Sequence, residues 1–156
     1  MIANKYVIRV GVGVSKKGNR LPSFDKALLD AGVGNYNLVK LSSILPAHCV
    51  EAKEIDLEEG SMLPTAYATI TSSQEGDFLV SCIGVGIPAN HDNVGVIMEY
   101  SGINISVEDG AETIKNMVKE AFSARKWELK NIVHAESWRR IGHNETVTTF
   151  ACIAEW

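Results

Sequence analysis

Between residues 6 and 14 apolar and polar positions alternate and β-branched side chains are frequent, so a period of two predicts a strand from Tyr6 to Val14. Gly11-Val12-Gly13-Val14-Ser15 then runs into a polar loop. The glycines lack the third member of a dinucleotide-binding fingerprint, and no helix follows at once. Ser23 is placed to cap a short helix, Phe24 to Ala31, with Leu28 and Leu29 turned inward and Gly32 ending it. After a turn at Gly34-Asn35, Asn37 to Ser42 and the residues from Ile44 onward read as extended chain, interrupted by Pro46, which cannot donate to a ladder. Three further strands are predicted at Thr65 to Ser72, Phe78 to Ile87 and Val94 to Tyr100, with turn-rich segments between them. Ser106, followed by Glu108 and Asp109, opens the longest helix. Ala111, Ile114, Met117, Val118, Ala121 and Phe122 recur along it at three- and four-residue spacing and give it one apolar face. Glu128 to Ile141 and Thr146 to Ala154 close the chain as two strands, with Gly142-His143-Asn144-Glu145 as the expected hairpin turn. Many strands and two covering helices predict an α+β layered domain.

A chain of 156 residues suits a single domain, and 46% hydrophobic with 22% charged residues is an ordinary globular balance. A net charge of −4 argues against nucleic-acid binding, which needs a basic surface. No apolar run approaches the length of a membrane helix and no signal-peptide layout opens the chain, so a cytoplasmic protein away from membranes is expected. Cys49, Cys82 and Cys152 are odd in number and show no C-x-x-C spacing; buried thiols are the expected reading. The four histidines show no metal-ligand spacing, so no metal is expected.

Composition and periodicity reveal no active site: there is no Ser-His-Asp order and no phosphate loop. The pair Ser42-Ser43 says little alone, since Ser72-Ser73 repeats it. More specific is the block Phe24-Asp25-Lys26-Ala27-Leu28-Leu29-Asp30-Ala31-Gly32-Val33-Gly34-Asn35-Tyr36-Asn37-Leu38-Val39-Lys40-Leu41-Ser42-Ser43-Ile44-Leu45-Pro46. It is followed in order by Leu63-Pro64-Thr65-Ala66-Tyr67-Ala68, by Gly95-Val96-Ile97-Met98-Glu99-Tyr100 and by the closing strand from Thr149 to Trp156. Together these segments resemble the pyruvoyl-dependent arginine decarboxylase family from about Leu21 to the C-terminus. Tyr36 is bulkier than the aliphatic residue expected there, and the segment before Leu21 matches poorly.

The resemblance implies a four-layer α/β/β/α sandwich of the pyruvoyl-dependent histidine/arginine decarboxylase type, assembled as a homotrimer with active sites at subunit interfaces. It implies self-cleavage between Ser42 and Ser43 into a β chain, 1–42, and an α chain, 43–156, that begins with a pyruvoyl group made from Ser43. That ketone replaces pyridoxal phosphate, condensing with the substrate amine and accepting electrons as carbon dioxide leaves. Carried over by position, Asn37 assists self-processing, Glu99 donates a proton, Asp25 pairs with the guanidinium of arginine, and the backbone at Gly34 approaches the substrate. Strand alternation puts Glu99 on the face of Ile97 and Gly95, an apolar setting that favours a protonated donor. For Asp25 a competing reading remains: in a helix first turn after Ser23, a carboxylate meets the helix dipole. The implied reaction is L-arginine to agmatine and carbon dioxide. The alternatives are a pyruvoyl enzyme for another amino acid, histidine or lysine, and a non-catalytic trimeric relative that never matures.

Overall fold

The computed structural model describes residues 2–156, and within them β-branched and aromatic runs form nine strands and two helices. In chain order these are β1 (Lys5–Lys16), α1 (Arg20–Asp30), β2 (Asn37–Lys40), β3 (Ile44–Leu45), β4 (Val50–Glu51) and β5 (Met62–Ser72). β6 (Phe78–Pro88), β7 (Gly95–Ile103), α2 (Val107–Arg125), β8 (Leu129–Arg140) and β9 (Glu145–Glu155) complete the chain. A five-stranded sheet has the order β2-β5-β9-β1-β4, and a four-stranded sheet the order β3-β7-β6-β8. α1 packs on β1, β9 and β5, α2 packs on β6, β7 and β8, and the sheets face each other, giving the expected four layers.

The period of two in β9 explains the layering. Ala151 and Ile153 point to the other sheet, where they meet Ile83, Val85 and Ile97, while Phe150, Cys152 and Ala154 point to α1. A strand buried on both faces must be apolar throughout, as β9 nearly is. On the far side, Ile114, Val118 and Phe122 of α2 bury their side chains against Val80 and Cys82; each contributes about 1.5–3 kcal/mol.

Strand glycines make room for both helices on their sheets. A Cβ on Gly13 would fall 1.8 Å from the Ser23 carbonyl oxygen, and one on Gly11 2.1 Å from that of Ala27. The glycines of β1 are therefore the seat of α1, a packing role that accounts for the Gly-Val-Gly motif without a nucleotide. Gly84-Val85-Gly86 in β6 does the same for α2, where added Cβ atoms would meet Ile114 at 2.4 Å and Phe122 at 2.5 Å.

Two sequence expectations are corrected. Residues 142–145 do not close a hairpin: β8 pairs with β6 in one sheet and β9 with β1 and β5 in the other, so the turn is a crossover between layers. Alternation alone fits either arrangement, and only the partners across the sheet decide. α1 begins at Arg20, with Asn19 at its N-cap and no side-chain cap. Pro22 lies in its first turn, where a missing N–H costs nothing. Ser23 is buried inside the helix, where its hydroxyl bonds to Thr148 Oγ1. Asp25 thus lies beyond the first turn, which contains no acid, and the helix-dipole reading for it is lost. At the other end Gly32 takes φ +74° and terminates the helix as expected.

Candidate active site

The chain changes sheets at the two serines. β2 runs parallel to β5 and ends at Lys40, opposite Thr65, whereas β3 begins at Ile44, opposite Val96 of β7 in the other sheet. Ladder bonds resume on either side: the Leu41 amide donates to Thr65 O at 3.0 Å and the Ile97 amide to Ser43 O at 2.7 Å. The Ser42–Ser43 peptide lies in the gap between the ladders, with Ser42 exposed and Ser43 half-buried. There the Ser43 hydroxyl donates to the carbonyl oxygen of Ser42 at 2.6 Å. The oxygen it meets is bonded to the carbon it would attack.

β7 carries Glu99 two residues beyond Ile97, roughly 7 Å along the strand from the position that bonds Ser43. The apolar surroundings expected of Glu99 are absent. Lys40 Nζ donates to Oε1 at 2.9 Å and to Oε2 at 3.0 Å, and its third contact is Tyr67 O at 2.7 Å. The same ammonium lies 4.1 Å from the centroid of the Tyr67 ring. β5 continues past the end of β2, and its open edge at Tyr67, Ala68 and Thr69 walls a cavity of 270 Å³ with Lys40, Glu99, Tyr100 and Ser101.

The other expected residues lie elsewhere. Asn37 opens β2 and donates its side-chain amide to Gly60 O at 2.7 Å, away from the serines. Gly34 sits in the loop between α1 and β2, where a Cβ would meet the Leu29 side chain at 2.8 Å. Asp25 is exposed on α1 and makes no ion pair among the described residues. The five-stranded sheet separates it from Glu99, because α1 covers the outer face of that sheet while Glu99 belongs to the other one. The chain therefore places Ser42, Ser43 and Glu99 along one edge of β7, and Asp25 apart from them. Lys40 and Tyr67 escaped the sequence reading: nothing local marks a lysine whose partner is 59 residues away across two sheets.

Away from the serines, burial shifts the three thiols and one carboxyl. Desolvation pushes the Cys49 thiol up to about 11 and those of Cys82 and Cys152 up to about 12, so all three are inert thiols at neutral pH. Glu155, at the end of β9, is 6% exposed, and its Oε2 has no hydrogen-bond partner. Desolvation raises its pKa to about 7. Below pH 4.5 the carboxyl is neutral whether folded or unfolded and costs nothing. As pH rises from there to 7 only the unfolded chain gives up this proton, so the contribution of Glu155 to stability falls by about 3 kcal/mol and then levels off. Denaturant titrations at fixed protein concentration should show Glu155→Gln gaining stability over wild type at pH 8 and the gain shrinking toward pH 4.5. A pH-independent difference would assign the effect to packing.

Comparison with known proteins adds to this geometry. The profile of the family described as pyruvoyl-dependent arginine decarboxylase matches residues 5–155, including the N-terminal strand that the sequence reading matched poorly. The chain is 43% identical over 121 residues to a pyruvoyl-dependent arginine decarboxylase of Thermococcus kodakarensis, covering 77% of this chain and 76% of that protein. It is 43% identical to the protein of that name from Pyrococcus abyssi, over 74% of this chain and 73% of the relative. With the namesake from Methanococcus aeolicus it shares 36% identity over 96% of this chain and 88% of the relative.

Proposed function

Because the chain belongs to the pyruvoyl-dependent arginine decarboxylase family, we propose that it converts L-arginine to agmatine and carbon dioxide with a pyruvoyl group made from its own Ser43. The observation that carries this reading is the Ser43 hydroxyl resting on the Ser42 carbonyl, in a peptide that neither sheet holds in its ladder. Attack by Oγ on that carbonyl carbon moves the acyl group from nitrogen to oxygen and makes an ester. Loss of the Ser43 α-proton expels the Ser42 carboxylate and leaves dehydroalanine. Water then replaces its nitrogen, ammonia departs, and residue 43 is a pyruvoyl group. Asn37 assists this processing by fixing the start of β2 through its bond to Gly60, which sets the path of the chain into the crossover.

Once formed, the ketone supplies an electron sink for the pair left behind by carbon dioxide. The rest is the work of side chains. Glu99, two residues along β7 from the strand position that bonds Ser43, delivers the proton to the substrate α-carbon. Asp25 accepts two parallel hydrogen bonds from the guanidinium, a geometry that distinguishes arginine from lysine. The backbone at Gly34 lies against the substrate because no side chain intervenes. Asp25 and Glu99 stand in different layers of one protomer, which supports a homotrimer with active sites completed between neighbours. A cytoplasmic setting suits a small amino-acid substrate, and among the described residues no helix is long and apolar enough to cross a membrane.

Intact-mass measurement of the purified protein, coupled to an agmatine assay, tests the reading. Two chains, 1–42 and 43–156, with a carbonyl at the new N-terminus and arginine preferred over lysine and histidine, are expected. A single unmodified chain would leave a non-catalytic relative, and preference for another amino acid would move the specificity. In the same assay Asp25→Ala should process normally but raise KM for arginine about 10- to 100-fold, the worth of a lost charge-assisted pair.

A further inference from the structure

The ion pair between Lys40 and Glu99 has a geometry that stability does not explain. The side chains are 47% and 37% exposed, and a pair so hydrated contributes at most about 1 kcal/mol. Yet all three N–H donors of the ammonium are committed, two to the carboxyl oxygens and one to the carbonyl of Tyr67. Contacts at 2.9 and 3.0 Å to both oxygens hold the carboxyl group beside the ammonium and restrict its swing. The clamp is anchored in turn: the Tyr67 ring beneath the ammonium packs at 5.3 Å on Phe150, which is fully buried under α1. Lys40, the last residue of β2, also stands two residues before Ser42, so the clamp borders the peptide to be cut.

We propose that Lys40 is a positioning residue for the protonation step, aiming the Glu99 carboxyl at the substrate α-carbon. The inference rests on Glu99 being the donor. When carbon dioxide leaves, its electron pair is shared between the substrate α-carbon and the former ketone carbon of residue 43. A proton on the first forms the C–H bond of the amine product, and water then restores the ketone. A proton on the second forms a C–H bond at residue 43. Water then releases the substrate carbon as an aldehyde, and the substrate nitrogen stays on residue 43, leaving an inactive N-terminal alanine. The proton is one the carboxyl takes up from solvent on the oxygen that gives up its Lys40 bond, while the other oxygen keeps that bond; held in this way the carboxyl serves the first carbon, and a carboxyl free to swing serves both.

The test uses processed trimers of Lys40→Met, Lys40→Arg and Glu99→Gln, turned over on arginine, with the mass of the 43–156 chain followed against time. Lys40→Met should lose about 10- to 100-fold in kcat with KM little changed. Residue 43 should also become alanine in a larger fraction of turnovers than in wild type. Lys40→Arg should restore both readouts, since a guanidinium can bridge a carboxyl. If Lys40→Met does not process, Lys40→Gln takes its place. Wild-type kcat and wild-type alanine formation in the neutral variants would overturn the inference, as would a lowered melting temperature with no change in alanine formation. If Glu99→Gln turns over at full rate, the donor assignment itself fails; if Glu99→Gln is slow while Lys40→Met is normal, only the role of Lys40 falls.

Discussion

Replacing Ser43 with alanine should leave the chain uncut and abolish arginine decarboxylation. The oxygen that donates to Ser42 O at 2.6 Å is the only atom removed, so the crossover keeps its backbone path and the sheets keep their ladders. Without that oxygen no ester forms at Ser42, no elimination follows, and residue 43 never carries a ketone. Electrophoresis and intact mass read the first consequence as one chain of 156 residues. The agmatine assay reads the second as a signal at background. Ser42→Ala is the informative partner, because Ser42 contributes its carbonyl rather than its hydroxyl and cleavage should continue. A Ser43→Ala protein that still splits would move the cut elsewhere, and one that stays whole yet makes agmatine would remove the pyruvoyl group from the mechanism.

The second large effect is expected at Glu99. Glu99→Gln preserves the size of the side chain and one acceptor for Lys40, so the cavity beside Tyr67 should keep its shape. An amide is no acid at working pH, and loss of a general acid lowers kcat by about 10²- to 10⁴-fold. Cleavage into 1–42 and 43–156 should proceed, since the serines bond elsewhere: Ser43 Oγ donates to Ser42 O and the Ser43 carbonyl accepts from the Ile97 amide. A separate measurement of processing by mass and of turnover by agmatine release therefore divides the two events. Equal loss of both would mean that Glu99 shapes the crossover.

Much of this was legible in the chain. The alternation through β1, β5, β6 and β9 and the three- and four-residue apolar spacing of α2 are local periodicities, and each element appeared within a few residues of its expected place. The Ser106 cap is likewise a local bond, from the Asp109 amide to the Ser106 hydroxyl at 3.0 Å. The cap expected at Ser23 failed because burial against Gly13 and Thr148 outweighed the local preference of serine for a helix start. The hairpin expected at 142–145 failed for a related reason: a turn records that the chain reverses, and not whether the next strand returns to the same sheet.

By itself the sequence determined the strands, the helices and the order of the motif segments. Those are properties of neighbouring residues, governed by side-chain period and backbone preference. Only the tertiary structure decided that Ser42 and Ser43 stand where the chain passes from one sheet to the other, that Lys40 reaches across this gap to grip Glu99, and that Asp25 lies a layer away. These depend on which strands pair and which faces meet. Such choices are made by the burial of the whole apolar surface at once, so no segment read in isolation contains them.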